Sequence, residues 1–170
     1  MKGRYQIFLT AVLLSCFLPA HAVTIVVSGL PNDQLRIRVG STGSGINVVT
    51  FNVPVGQIGN GVPITGTPQI LVRVTARSAV ANSKTATLTA NSLTPMMSAG
   101  GDTIPFTTIN WTTSDGDIPA GAFDGSNTQT LLTFQNSRSI ENTHTFHYSN
   151  VNVVPTGTYT GRVTYTLSMP

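Results

Sequence analysis

Apolar and polar residues alternate with a period of two along most of this chain. Leu35, Ile37 and Val39 flank Arg36 and Arg38, Ile70, Val72 and Val74 flank Arg73, and Ala86, Leu88 and Ala90 sit between Thr85, Thr87 and Thr89. Successive side chains of an extended strand point to opposite faces, so each of these stretches predicts a half-buried strand. Ile46–Val53, Ile104–Thr112, Thr130–Phe134 and Thr143–Tyr148 are further strand candidates on their alternation and β-branched or aromatic content. The last fourteen residues alternate most completely, with Tyr159, Gly161, Val163, Tyr165, Leu167 and Met169 on one side and Thr158, Thr160, Arg162, Thr164, Thr166 and Ser168 on the other. Because chain ends usually fray, a strong amphipathic strand at an end implies that its edge is held, by its own sheet or by another polypeptide.

Turn signals separate the strands: Pro31-Asn32-Asp33, the glycines between Gly40 and Gly45, Gly59-Asn60-Gly61, Gly100-Gly101-Asp102, Ser114 to Asp117, Asp124-Gly125 and Pro155-Thr156-Gly157. Helical periodicity is absent. With both ends included the pattern predicts about eight or nine strands, hence an all-β fold, an immunoglobulin-like two-sheet sandwich ahead of a barrel.

The first residues follow a different pattern. Lys2 and Arg4 precede an apolar run from Ile7 to Leu14, and Ala20-His21-Ala22 has the small-x-small form of a signal-peptidase site. The run falls well short of the about 20 apolar residues a membrane span needs. Residues 1–22 are therefore read as a removed secretion signal, ahead of a lipoprotein reading in which Leu13-Leu14-Ser15-Cys16 leaves a lipid on Cys16. Without them, nine Lys and Arg become seven against six Asp and Glu, and the net charge falls from +3 to +1. The basic balance then carries no message about nucleic acid. Charged residues are only 9% of the chain, against about 25% in an average soluble domain, which suits a secreted β-protein that packs against copies of itself. Cys16 is the single cysteine, so residues 23–170 hold no disulfide and depend on core burial and strand pairing.

Catalytic patterns are missing from the sequence: it has neither a Gly-x-Ser-x-Gly elbow nor a phosphate-binding glycine loop. His144 and His147 are three apart, which on a strand puts them on opposite faces and prevents joint chelation without a bulge. Asp115, Asp117 and Asp124 fail the EF-hand template, since Ala120 and Ser126 stand where glycine and a bidentate glutamate are required. A solvated turn accounts for them. Arg36, Arg38 and Arg73 read as solvated charges that discourage edge pairing, and Trp111 as a core or rim residue. No enzyme, cofactor or metal is expected.

A secretion signal, a short alternating N-terminal segment, a disulfide-free β body and a C-terminal strand opened by a glycine fourteen residues from the end together resemble subunits of chaperone-usher pili. The Gly-x-Tyr-x-Gly-x-Val run from Gly157 to Val163 is most similar to the cysteine-free branch of these pilins, while Met169 stands where the family has a penultimate aromatic residue. The resemblance covers the two ends and the general character of the chain. It implies an incomplete immunoglobulin-like sandwich whose groove is filled first by a periplasmic chaperone and then by the N-terminal extension of the next subunit. Residues 23–31 would be that extension, with Val23, Ile25, Val27 and Gly29 as the donor positions, and 32–170 the pilin domain. Gly157, Tyr159, Val163, Tyr165, Leu167 and Met169 would form the strand that meets chaperone and neighbour. Donation of this kind is β-augmentation, in which main-chain bonds supply the ladder and alternate side chains fill pockets. The alternative makes residues 23–29 an ordinary first strand of a self-complete domain.

The expected function is that of a structural subunit of a surface pilus (fimbrium), exported through the periplasm and supporting adhesion or biofilm formation. Its expected partners are identical or sister subunits, the chaperone and an outer-membrane usher, without nucleic acid or membrane insertion. The alternative function is a secreted β-sandwich binding module or adhesin for carbohydrate or matrix.

Overall fold

A computed structural model of the chain describes residues 33–40, 47–78, 84–135 and 137–170. The signal expected at residues 1–22 and the donor positions Val23, Ile25, Val27 and Gly29 lie outside these. The described residues form eleven strands, β1 (Gln34–Val39), β2 (Ile64–Thr65), β3 (Ile70–Arg77), β4 (Thr85–Asn91), β5 (Met96–Met97), β6 (Thr103–Ile104), β7 (Ile109–Thr113), β8 (Gly121–Ala122), β9 (Gln129–Gln135), β10 (Arg138–Tyr148) and β11 (Thr164–Ser168), with two single-turn 3-10 segments. All pairings are antiparallel. The fold is therefore all-β. The largest sheet runs β1-β3-β10-β7-β8, with β2 on the far end of β10, a second runs β11-β4-β9, and β5 pairs with β6.

The alternation in the sequence is the alternation of burial. Ile70, Val72, Val74 and Ala76 of β3 are buried, as are Ala86, Leu88 and Ala90 of β4, while Arg73 and Arg77 are exposed. Ile140, Asn142, His144, Phe146 and Tyr148 of β10 point inward, and so do Tyr165 and Leu167 of β11 and Met169 beyond it. The inner faces of both larger sheets contribute to one apolar cluster. Full burial of an aliphatic side chain such as Val72, Val74, Leu88 or Leu167 contributes about 1.5–3 kcal/mol, so this shared core dominates the stability.

The strands depart from the expected ones where a local rule intervenes. Ile104–Thr112 is not one strand, because Pro105 has no N–H for a ladder. The chain makes a 3-10 turn at Phe106–Thr108, where Thr108 donates to the Pro105 carbonyl from its backbone (3.2 Å) and its hydroxyl (2.8 Å). In β9 the register with β4 jumps from Leu132 to Thr130, leaving Leu131 as the bulged residue. That extra residue lets Leu131 and Phe134, three apart, both reach the core. β10 begins at Arg138 and so runs longer than the expected Thr143–Tyr148. The C-terminal ladder is shorter than the alternation predicts, beginning at Thr164. Before it, Thr160 makes an isolated bridge to Met97.

Candidate functional site

Two extended segments without ladders lie along one open side of the core. The first covers residues 47–53, where Val49, Phe51 and Val53 are half-buried and Val48, Thr50 and Asn52 exposed, an alternation proper to a strand. Yet among the described residues its backbone pairs only at Thr50, which exchanges two bonds with Thr67 (2.8 and 3.0 Å). The second covers residues 154–163, tied to β5 through the reciprocal Met97–Thr160 bonds (2.8 and 3.0 Å). The strand expected over Ile46–Val53 is thus an extended segment in its described part, and the one expected from Gly157 is a ladder only from Thr164.

Between the segments runs a groove of about 1050 Å³. Val49, Phe51 and Val53 form one wall, Val154, Tyr159 and Val163 the other. Its floor is the core itself, where Ile70, Phe106, Phe123, Phe146 and Tyr148 come to the surface of the cavity. Aromatic rings make up much of that floor, with Phe51 edge-on to Tyr148 at 6.4 Å and Phe106 edge-on to Phe123 at 6.0 Å. The Tyr148 hydroxyl is buried and has no hydrogen-bond partner among the described residues. Burial raises the Tyr148 and Tyr165 phenols above the ordinary tyrosine value, so both stay neutral in this apolar setting.

Each wall stands on a glycine. A Cβ at Gly66 would lie 2.4 Å from Val49 Cγ1 and 2.7 Å from Phe51 Cε1. A Cβ at Gly161 would lie 2.7 Å from Met96 Cγ, 2.9 Å from Met96 Cα and 3.0 Å from Phe106 Cζ. Only a residue without a side chain lets the walls approach this closely. Gly157 lines the groove but has open space around the position of a Cβ.

Of the C-terminal positions singled out from the sequence, Gly157, Tyr159, Val163 and Tyr165 line the groove, while Leu167 and Met169 are buried without lining it. Sequence reasoning missed the opposite wall and the aromatic floor as parts of one site. The available signal was the alternation over residues 46–53, which matches the C-terminal alternation in character.

The chemistry-bearing side chains elsewhere among the described residues are dispersed. His144 is fully buried, its ring nitrogens without hydrogen-bond partners among the described residues, and is stacked 6.1 Å from Trp111 with the planes 5° apart. His147 lies on the other face, beside the hydroxyls of Thr65 (3.2 Å) and Thr112 (3.5 Å). Trp111 is a core residue that donates its indole N–H to the Pro119 carbonyl (3.0 Å). Asp115 and Asp124 accept backbone N–H groups two residues ahead, from Asp117 and Ser126, as turn-forming aspartates do. No group of three or more His, Cys, Asp or Glu side chains placed to hold a metal occurs among the described residues.

The groove offers an apolar slot between two extended backbones whose hydrogen-bonding groups are mostly unladdered. No family model matches the chain, and neither does any curated protein or solved structure.

Proposed function

We propose that this chain is a structural subunit of a surface pilus, an immunoglobulin-like sandwich lacking one strand that is completed by the N-terminal segment of another subunit. The observation that carries the reading is the groove itself. It opens the hydrophobic core along a line bounded by two strand-like segments, each with alternating inward side chains and, among the described residues, only one bridge. Exposed apolar floor of this kind is a liability in an isolated molecule and marks a surface meant to be covered. An added strand would satisfy main-chain groups on both walls and seat alternate side chains on Phe106, Phe123 and Phe146.

Val23, Ile25 and Val27 supply the alternating apolar side chains such a strand needs, and Gly29 adds a position without one. The partners under this reading are other subunits, a periplasmic chaperone that fills the groove before assembly, and the usher. Catalysis has no part in it.

A complementation experiment tests the reading. Ile25→Asp with Val27→Asp gives a chain defective as donor, because burying unpaired charge in the slot is prohibitive. Val49→Arg gives a chain defective as acceptor. Each alone should remain chaperone-bound and fail to form SDS-resistant multimers, while a mixture should yield dimers and nothing larger. Multimers from the Ile25→Asp/Val27→Asp chain would defeat the proposal. So would a drop in its thermal stability in the chaperone complex, which would mark residues 23–29 as a strand of their own domain.

A further inference from the structure

The outer face of the largest sheet carries an uneven charge. Four of the chain's nine Lys and Arg, namely Arg36, Arg38, Arg73 and Arg77, stand on that one face of β1 and β3. Register places Arg38 directly opposite Arg73, and Glu141 on β10 opposite Arg73 from the other side. Like charges facing each other across a strand pair are unfavourable unless other groups relieve them. Glu141 forms an ion pair with Arg73 and is the single carboxylate on this face of the three strands. Arg36 and Arg77 are exposed and make no ion pair with the described residues. The other acids sit elsewhere: Asp33 is paired with Lys84, Asp102 lies in the β5–β6 turn, and Asp115, Asp117 and Asp124 lie in the loops around β8.

At the Arg77 end the face dips into a depression of about 280 Å³. Thr75, Ala76, Arg77, Ser137, Arg138 and Ser139 line it; register sets Arg77 with Thr75 and Ser139 on the outer face, whereas Arg138, opposite the inward Ala76, has the other parity and pairs with Asp117 at 3.6 Å. The Thr75 and Ser139 hydroxyls are hydrogen-bonded to each other at 2.9 Å, which fixes them side by side at the rim. The Arg77 guanidinium fork beside these hydroxyls is the chemistry that holds a sulfate group, by paired charge-assisted hydrogen bonds.

We propose that the outer face of β1 and β3, with the depression at its Arg77 end, binds an acidic polysaccharide bearing sulfate groups. The flat face with rows of charge suits an extended polyanion, and the depression gives one anionic group a defined seat. No aromatic side chain stands on this face of β1 and β3, so it lacks the stacking platform that single-stranded nucleic acid requires. Leu71 is its one large apolar residue, too little for a protein-protein hot spot. This inference does not rest on the groove or on assembly into a pilus.

The test uses the full chain and heparin as the sulfated probe, with dextran as the uncharged polymer, hyaluronan as the carboxylate-only one, and a DNA duplex. Heparin should bind most tightly, hyaluronan more weakly and dextran not at all, with affinity falling steeply as salt rises. Arg36→Gln with Arg77→Gln should weaken heparin binding on the order of tenfold at low salt and flatten the logarithmic salt slope by about two, one for each guanidinium removed. Arg162→Gln removes the same charge from the C-terminal segment and should change affinity by less than about twofold. The thermal midpoint checks that the double variant is folded, and if it is not, the single variants should each show part of the loss. Absence of heparin binding by the unaltered chain would overturn the proposal, as would an Arg162→Gln effect equal to the double variant's. Tighter binding of the DNA duplex than of heparin would assign the face to nucleic acid instead.

Discussion

Acidification should destabilise this fold through His144. The side chain is fully buried on the inner face of β10, stacked on Trp111 and tilted against Phe146, and neither ring nitrogen has a hydrogen-bond partner among the described residues. Desolvation pushes its pKa down from 6.5 to about 4, although the nearby Asp115 carboxylate pulls the other way. Folded chains therefore hold the imidazole neutral at pH values where an unfolded chain has already protonated it. Stability is complete above pH 6.5, falls as pH drops towards about 4, and changes no further through this group below that. At 1.36 kcal/mol per pH unit the loss is about 3 kcal/mol, a large share of the 5–15 kcal/mol of a typical domain. Urea or thermal unfolding of the purified chain between pH 7.5 and 4 measures it. His144→Leu fills a similar volume without polar atoms and should remove the dependence over this window while matching or exceeding the original stability at pH 7.5. An equal acid-induced loss in the His144→Leu chain would refute the reasoning, and so would no loss in the original.

Further predictions test the frame of the groove. Gly161→Ala should cost on the order of 1–3 kcal/mol, because Met96 Cα is backbone and cannot swing aside, whereas Gly157→Ala should stay within about 0.5 kcal/mol; paired denaturation curves decide it, and equal effects would show that the close approach does not matter. Asn150, buried and at a positive φ of 53°, accepts from the Gly59 N–H and donates to the Gln57 and Val62 carbonyls and the Asn60 side chain. Asn150→Ala should cost about 3 kcal/mol and expose the 57–62 turn to proteolysis, and a loss below about 1 kcal/mol would contradict that role. Leu167→Ala should cost about 2–5 kcal/mol by leaving a cavity at a fully buried position, read as a shift in unfolding midpoint.

Much of the fold was legible because burial here follows a period of two. The alternating triplets at Leu35–Val39, Ile70–Val74 and Ala86–Ala90 all became strands, and Tyr165 and Leu167 point inward as their parity requires. Glycines at turn signals such as Gly59, Gly61, Gly101, Gly116 and Gly125 adopt positive φ. The same parity placed His144 and His147 on opposite faces. What periodicity does not encode is pairing. Residues 47–53 and 157–163 alternate as well as any strand, yet a ladder needs a second backbone on each, and the described residues place none beside most of them. Pro105 was a visible breaker inside Ile104–Thr112 that the apolar pattern outweighed and steric chemistry overruled. The steric importance of Gly161 over Gly157 arises from Met96 and Phe106, which are distant in sequence and so leave no local trace.

The pairing of β11 with β4 raises a question of information. On the polar side, Asn91, Thr89 and Thr87 face Thr164, Thr166 and Ser168, nearly interchangeable partners. Sliding β11 by two residues would keep the same parity and still match hydroxyl to hydroxyl, so this face is almost silent about alignment. Discrimination comes from volume on the other side, where Tyr165 lies against Ala90 and Leu167 against Leu88. The slipped alignment would press Tyr165 onto Leu88 and leave Leu167 over Ala86, overfilled at one point and hollow at the next. Two alanines thus specify the alignment of this edge. Enlarging either would remove the distinction between two near-degenerate registers and turn a unique strand into a kinetic trap.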